Sequence, residues 1–286
     1  MSAEERIEKT LDLGYARQYK VEISPKLGLA IGKVHGVGSR ENQQDAFGIS
    51  DTEDDVVEEK GLLLVLADGM GGMNGGEKAS MEVVISCLNY FEQYDMQEEI
   101  EEELTEMLYE ANDQVRNALE KYAPGGGSTA IVVRLKEQSV NWVSVGDSRL
   151  YLFHEGTLQQ LNREHNYAVT LDEMAKQGEI NVEEAMGHPQ RKALTSYIGM
   201  DKPPEIDSSR QELVLEKGDR LLLMSDGVFG TLSSEEITDA MQYTAEKAAK
   251  YLGMQIEQKK KRYQDNYTAL IVEVLRGRGG GDDAEF

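Results

Sequence analysis

The chain predicts an α/β (α+β) fold: two packed, largely antiparallel β-sheets flanked by helices, an αββα sandwich. Three observations predict it. Seven short runs rich in leucine and β-branched residues are bounded by Gly, Asp or Asn, as strands are. Several are joined by segments too short for a crossover helix, which calls for antiparallel pairing. Long amphipathic segments lie in the middle of the chain and near its end, where they can cover the outer faces of the sheets. The length of 286 residues and the 40% hydrophobic content suffice for one sizeable core.

In chain order, residues 1–25 are polar and weakly periodic and read as an N-terminal extension. Strands are predicted at Leu29 to Val34, Leu62 to Ala67, Ala130 to Leu135, Val140 to Val145, Leu150 to Phe153, Arg220 to Met224 and Thr268 to Leu275. Gly146-Asp147-Ser148 and His154-Glu155-Gly156-Thr157 are short enough for hairpin turns. A helix is predicted at 76–93. A second, from Asp95 to Tyr122, carries Ile100, Leu104, Met107, Leu108, Ala111, Val115, Ala118 and Leu119 at helical spacing, with Asp95 and Glu98 placed as cap and capping-box partner. The few residues between the two make them antiparallel neighbours. From Asn166 to Arg191 the chain reads as a mobile helical insert: Tyr167, Leu171, Met174 and Ala175 form a narrow stripe, Gly178 ends it, and Gly187-His188-Pro189 closes the segment. Ser233 and Glu236 cap a further helix running to about Lys250 or beyond. No repeat or linker marks a second domain, so one domain spans 26–276, followed by a Gly-rich acidic tail, 277–286, expected to be disordered.

The 53 acidic and 30 basic residues give a formal charge of −23, which repels phosphate backbones and argues against nucleic acid as a partner. Acid is concentrated in Asp51 to Glu59, Glu98 to Glu106 and the tail, read as a solvated loop, a helix face and a frayed end. The single cysteine, Cys87, falls on the apolar stripe with Ala79, Val83, Val84, Leu88 and Phe91, so it reads as a packed thiol in a reducing compartment. The N-terminus lacks a basic start before an apolar core, and no stretch approaches 18 uncharged apolar residues. A cytoplasmic protein without a membrane segment is the expectation.

The chemistry lies in four aspartates that each end an apolar, strand-like run: Asp45 after Gln43-Gln44, Asp68 in Leu-Leu-Leu-Val-Leu-Ala-Asp-Gly-Met-Gly-Gly, Asp226 in Leu-Leu-Leu-Met-Ser-Asp-Gly, and Asp265 before Asn266. Carboxylates at the rim of a core need compensation, and no basic residue adjoins Asp68, Asp226 or Asp265 in sequence. Oxygen donors without Cys or His clusters suit hard cations such as Mg²⁺ or Mn²⁺. His35, His154, His165 and His188 show no metal-ligand spacing. No convincing Ser-His-Asp or Cys-His arrangement supplies a side-chain nucleophile.

In this order the motifs resemble those of the metal-dependent protein phosphatases of type 2C, the PPM family, in its bacterial form. They are Ser39-Arg40 followed by Gln43-Gln44-Asp45; Ala67-Asp68-Gly69-Met70-Gly71-Gly72; Gly127-Ser128-Thr129-Ala130; Val145-Gly146-Asp147-Ser148-Arg149; Leu194-Thr195-Ser196-Tyr197-Ile198-Gly199; Ser225-Asp226-Gly227; and Asp265-Asn266. The resemblance covers about residues 28–275. It implies a binuclear Mn²⁺ or Mg²⁺ site held by Asp45, Asp68, the Gly69 carbonyl, Asp226 and Asp265, supported by Asn266 and Gln44. A third, weaker ion is implied at Asp147 with Asp226, and a phosphate-binding role for Arg40. The nucleophile would be a water shared by the two ions. The insert at 166–191 resembles the family's flap beside the active site.

The sequence departs from the better-known eukaryotic pattern at Met70, where that pattern has a histidine and bacterial-type members have Met; many members have Glu at Gln44, and bacterial members often have Asn at Gln43. Neither change removes an expected ligand. The implied function is hydrolysis of phosphoserine and phosphothreonine in proteins, opposing a bacterial-type Ser/Thr kinase, by a monomer. A small-molecule phosphoester hydrolase on the same site is the alternative. A non-catalytic pseudophosphatase is disfavoured by the four intact aspartates.

Overall fold

The computed structural model describes residues 22–24, 28–52, 54–71, 75–94, 99–122, 125–211 and 213–276. One sheet has six strands in the order β1 (Glu22–Ser24), β2 (Leu29–Gly36), β13 (Tyr267–Val274), β12 (Arg220–Met224), β8 (Arg149–His154) and β9 (Thr157–Gln160). The other runs β10 (Asp207–Ser208), β7 (Ser139–Val145), β6 (Ala130–Lys136), β4 (Leu62–Met70) and β3 (Asp45–Ile49), with β11 (Leu213–Val214) on β7 and β5 (Gly127–Ser128) on β4. The recorded pairings are all antiparallel.

The near-continuous apolar runs follow from the layering. Leu62, Leu64 and Leu66 point between the sheets, where they meet Leu221, Leu223, Leu270 and Val272. Their neighbours Leu63, Val65 and Ala67 point outward onto helices α2 (Gly75–Gln93) and α3 (Ile100–Tyr122). Both faces of β4 are covered, so period-two alternation of polarity is lost, as it is in parallel sheets. Cys87 lies fully buried on the inner face of α2, as its stripe predicts. On the far side, Val34, Leu222, Met224, Ala269 and Ile271 pack against α7 (Ser234–Ala240) and α8 (Ala245–Lys259).

Several expectations are corrected. Gly146-Asp147-Ser148 makes no hairpin: Val145 pairs with Ala130 in one sheet and Arg149 with Met224 in the other, so this loop carries the chain between sheets. The 154–157 hairpin does form, with Glu155 and Gly156 at φ 46° and 81°, the signs of a type I′ turn. The helix from Ser233 has its capping box but ends at Ala240; β13's Glu273 Oε2 accepts the Ala245 N–H at 2.8 Å and starts α8 on a new axis. The acidic run at 51–59 is not simply a solvated loop, because Asp54–Lys60 forms helix α1 with Val57 buried. Lys60 Nζ donates to the Glu92 carbonyl at 2.8 Å, placing a cation at the C-terminus of α2. β3 escaped prediction because it is five residues long and interrupted by Gly48. The last residues assigned to the extension, Glu22–Ser24, form an edge strand. Residues 1–21, the caps Asp95 and Glu98, and the tail at 277–286 lie outside the described residues.

α8 crosses the first sheet so closely that a Cβ on Gly32 would lie 2.0 Å from the Ala245 carbonyl oxygen. Gly32→Ala must therefore push helix from sheet. We expect a loss of about 1 to 3 kcal/mol, read as a lower urea midpoint with unchanged slope.

Candidate metal site

Antiparallel pairing explains how distant aspartates meet. Asp68 lies near the end of β4 and Asp226 just beyond β12, but Asp45 opens β3 and Asp265 precedes β13. Two of the four therefore start strands and do not end them, which corrects the sequence reading. Reversing strand direction places starts beside ends. Asp45 sits opposite Asp68 across β3 and β4, and the start of β13 lies beside the end of β12 with Ala269 opposite Met224. Asp147 joins from the loop between sheets, close enough to raise the Asp68 pKa and to have its own raised by Asp226.

Each Asp-Gly pair has a packing reason. A Cβ on Gly69 would lie 2.1 Å from the Gly76 carbonyl oxygen, and one on Gly227 would lie 1.8 Å from that of Asn266. The aspartate can approach the rim only because its successor lets another backbone pass. Gly69 is also held by its N–H, which donates to the Gln44 carbonyl at 2.9 Å.

Asp45 is the deepest of the group, at 4% exposure. Its Oδ2 accepts from the Ser225 and Thr268 hydroxyls, each at 2.7 Å, so a strand of one sheet is tied to two of the other. Its Oδ1 is buried without a partner. Burial pushes its pKa up to about 7, with Asp226 and Asp265 adding to the rise and the two hydroxyls opposing it. Burial and the neighbouring aspartates also hold Asp68 well above the usual carboxylate range. Asp147 is pushed up to about 7 by burial, then by Asp226 and Glu164. Asp226 is raised by burial and Asp265, against the opposing charges of Lys192, Arg40 and Arg149.

Asn266 Oδ1 accepts the Gln44 N–H at 2.8 Å, while its Nδ2 donates to the Val37 and Asn42 carbonyls at 2.9 and 3.0 Å. One amide thus fastens the 37–44 loop against β13. Gln44 Nε2 donates to the Gly71 carbonyl at 3.1 Å. Gln43 Oε1 accepts the Asp45 N–H at 3.0 Å. Arg40 is not turned to open solvent: its Nη2 donates to Asp265 Oδ2 at 2.7 Å, with the pair about half exposed. Arg149 binds Glu164 at 2.7 Å and stacks 3.9 Å over Phe229. The flap is a helical hairpin, α4 (Tyr167–Gln177) and α5 (Val182–Gly187), closed at its base by the Asn166–Leu194 bridge. Gly178 ends α4 at φ 78°. Sequence reasoning missed Ser225 and Thr268 as partners of Asp45. Only Ser225 carried a signal, as the residue before Asp226.

Among the described residues no three His, Cys, Asp or Glu side chains already form a closed ligand set. The residues nevertheless fit a hard divalent cation. The donors are all oxygens, the cluster is acidic beyond what Arg40 offsets, and Asp45 Oδ1 is a buried acceptor that nothing in the protein satisfies.

This fold and site define a class, proteins whose two antiparallel sheets present aspartates at one end for divalent metal. A family profile for protein phosphatase 2C matches residues 32–262, and the chain belongs to that family. The serine/threonine phosphatase stp of Listeria welshimeri is 30% identical over 244 residues, 82% of this chain and 91% of its own length. The serine/threonine phosphatase of S. agalactiae superposes with a TM-score of 0.75 at 27% identity, covering 86% of this chain and 99% of that one. The catalytic domain of the serine/threonine protein phosphatase PstP, solved with two manganese ions, superposes with a TM-score of 0.69 at 25% identity, covering 87% and 99%. Metal dependence belongs to the family.

In chelator-treated protein the raised carboxyl pKa values make stability depend on pH. Where the folded-state pKa lies above the unfolded one, the folded chain holds the extra proton. The contribution is full below about pH 4 and is lost as pH rises. Its loss should be complete once pH passes the folded value of about 7 at Asp45 and Asp147. Thermal melts in EDTA should show a falling midpoint across that window, and Mn²⁺ should restore stability at its upper end.

Proposed function

We propose that this chain hydrolyses phosphoserine and phosphothreonine in phosphoproteins, using two divalent ions, Mn²⁺ or Mg²⁺, held by Asp45, Asp68, Asp226, Asp265 and the Gly69 carbonyl. The observation that carries the reading is the orphaned, buried Oδ1 of Asp45 amid aspartates from both sheets. When bound, the ions supply an acidified water and positive charge against the phosphoryl oxygens. The protein's own part is positional. Ser225 and Thr268 orient Asp45, Asn266 and Gln44 fasten the loop that carries it, and Asp147 with Asp226 can take a third, weaker ion. Cys87 is buried and its thiol is pushed far up by that burial, so it offers no nucleophile.

Arg40 stands at the rim on Asp265, and a phosphate dianion would compete for the same guanidinium. Lys192, the residue after the flap, is close enough to lower the Asp226 pKa, and the flap would shape access for a protein substrate. We further propose a cytoplasmic monomer opposing a Ser/Thr kinase, built as one domain over residues 26–276. No described helix is long and apolar enough to cross a membrane.

Turnover of a phosphothreonine peptide should stop in EDTA and return with Mn²⁺. Faster turnover of nucleotides or sugar phosphates than of phosphopeptides would favour the small-molecule alternative. Asp226→Ala or Asp68→Asn should abolish activity by emptying the site. Asp147→Ala should keep two ions in a calorimetric titration and weaken only a third; loss of all metal binding there would refute this division.

Arg40→Ala should cost about 2 to 4 kcal/mol of transition-state stabilisation, roughly 30- to 900-fold in kcat/KM. Because Arg40 now occupies Asp265 Oδ2, its removal should leave Mn²⁺ affinity unchanged or tighter. Arg40→Lys keeps charge without the planar fork and should recover only part of the loss. Near-native kcat/KM in Arg40→Ala would remove Arg40 from the phosphate pocket.

A further inference from the structure

We propose that His35 is a positioning residue of the metal site: acting through the Thr268 hydroxyl, it determines which oxygen of Asp45 is left to face a cation. The inference rests on the metal-site reading above.

The register of β2 and β13 sets Thr268 directly opposite His35. Thr268 Oγ1 lies 2.8 Å from His35 Nδ1 and 2.7 Å from Asp45 Oδ2. A ligating carboxylate is ionised and can only accept, so the Thr268 proton points to Asp45 and its lone pair must receive an N–H. That N–H is available only if His35 carries its proton on Nδ1. With the proton on Nε2, Nδ1 would be an acceptor, and the Thr268 hydroxyl could satisfy either His35 or Asp45 but not both.

Ser225 obeys the same logic. Its Oγ accepts the Thr268 backbone N–H at 3.0 Å and donates to Asp45 Oδ2 at 2.7 Å. Both hydroxyl protons are thereby committed to Oδ2, and Oδ1 is the oxygen without a protein partner. The relay is itself held in place. His35 packs edge-on against Phe47 with ring centroids 5.3 Å apart, and Lys33 Nζ lies 5.2 Å from that same ring. Burial, reinforced by the Lys33 charge, lowers the His35 pKa to about 4, which keeps the ring neutral near pH 7 with a single N–H to place.

Outer partners that orient a ligand typically change metal affinity by about 10- to 100-fold when removed. His35→Phe keeps a ring against Phe47 but has no donor, whereas the amide of His35→Asn can return an N–H near the Nδ1 position. Calorimetric titration of the full chain with Mn²⁺ should show an affinity loss of about tenfold or more in His35→Phe and substantial recovery in His35→Asn. Thr268→Val, which removes the hydroxyl and keeps the shape, should lose at least as much, and His35→Phe added to Thr268→Val should lose nothing further. In ¹⁵N-labelled protein, His35 should show the Nδ1–H tautomer.

Equal Mn²⁺ affinity in His35→Phe and the unsubstituted chain, additive losses in the double variant, or an Nε2–H tautomer would each overturn the relay while leaving the metal site standing. If the unsubstituted chain binds no Mn²⁺, both readings fall. Should His35→Phe not fold, the tautomer measurement on the unsubstituted chain and the Thr268→Val titration still decide.

Discussion

The structure turns on one carboxylate that the protein buries without a matching charge. Asp45 lies where the two sheets meet, held on one oxygen by hydroxyls from β12's end and β13 and left bare on the other. Its neighbours make the position worse, since Asp68 faces it across β3 and β4 while Asp226 and Asp265 raise its pKa further. A core would normally exclude such a group or pair it with a base. Here the surrounding architecture keeps the charge in place: close-packed glycines after Asp68 and Asp226 admit the backbone, and Asn266 fastens the loop ahead of Asp45.

Much of this was legible in the chain because the aspartates sit at the borders of apolar runs. Leu62 to Ala67 and Arg220 to Met224 announce strands, and the carboxylates next to them announce a charged rim. Strand direction was not legible. A run of residues does not show whether its aspartate opens or closes it, and Asp45 and Asp265 open theirs. Sheet membership was equally hidden, because three residues can make a hairpin or a crossing. Gly146 to Ser148 crosses because Val145 and Arg149 find partners in different sheets. The hydroxyl of Thr268 was invisible for another reason. A threonine in a strand is ordinary, and its partners His35 and Asp45 lie 233 and 223 residues away.

At the rim the acidic field is partly offset by cations. The chain is strongly acidic, yet Arg40, Lys192 and Arg149 all oppose the rise in the Asp226 pKa. They come from three separate segments: the loop before β3, the residue after the flap and the start of β8. Arg149 is held by Glu164 and Phe229. Arg40 rests on Asp265 in an exposed pair of the kind worth less than about 1 kcal/mol, so a better anion can draw it away at little cost. A phosphate there would therefore meet positive charge against a background that repels other polyanions.

The depth of Asp45 also sets how far the protein has traded stability for chemistry. Raising a carboxyl from 3.8 to about 7 makes its ionised form costlier in the fold by about 4 kcal/mol than in water. Protonation would relieve that penalty most simply. The two hydroxyls resist it, since each donates its proton to Oδ2, an arrangement that favours a charged acceptor over a protonated one. The fold thus lowers the cost of the charge without removing it. What remains is a buried Oδ1 that no protein group satisfies, an acceptor of the kind a divalent cation would answer.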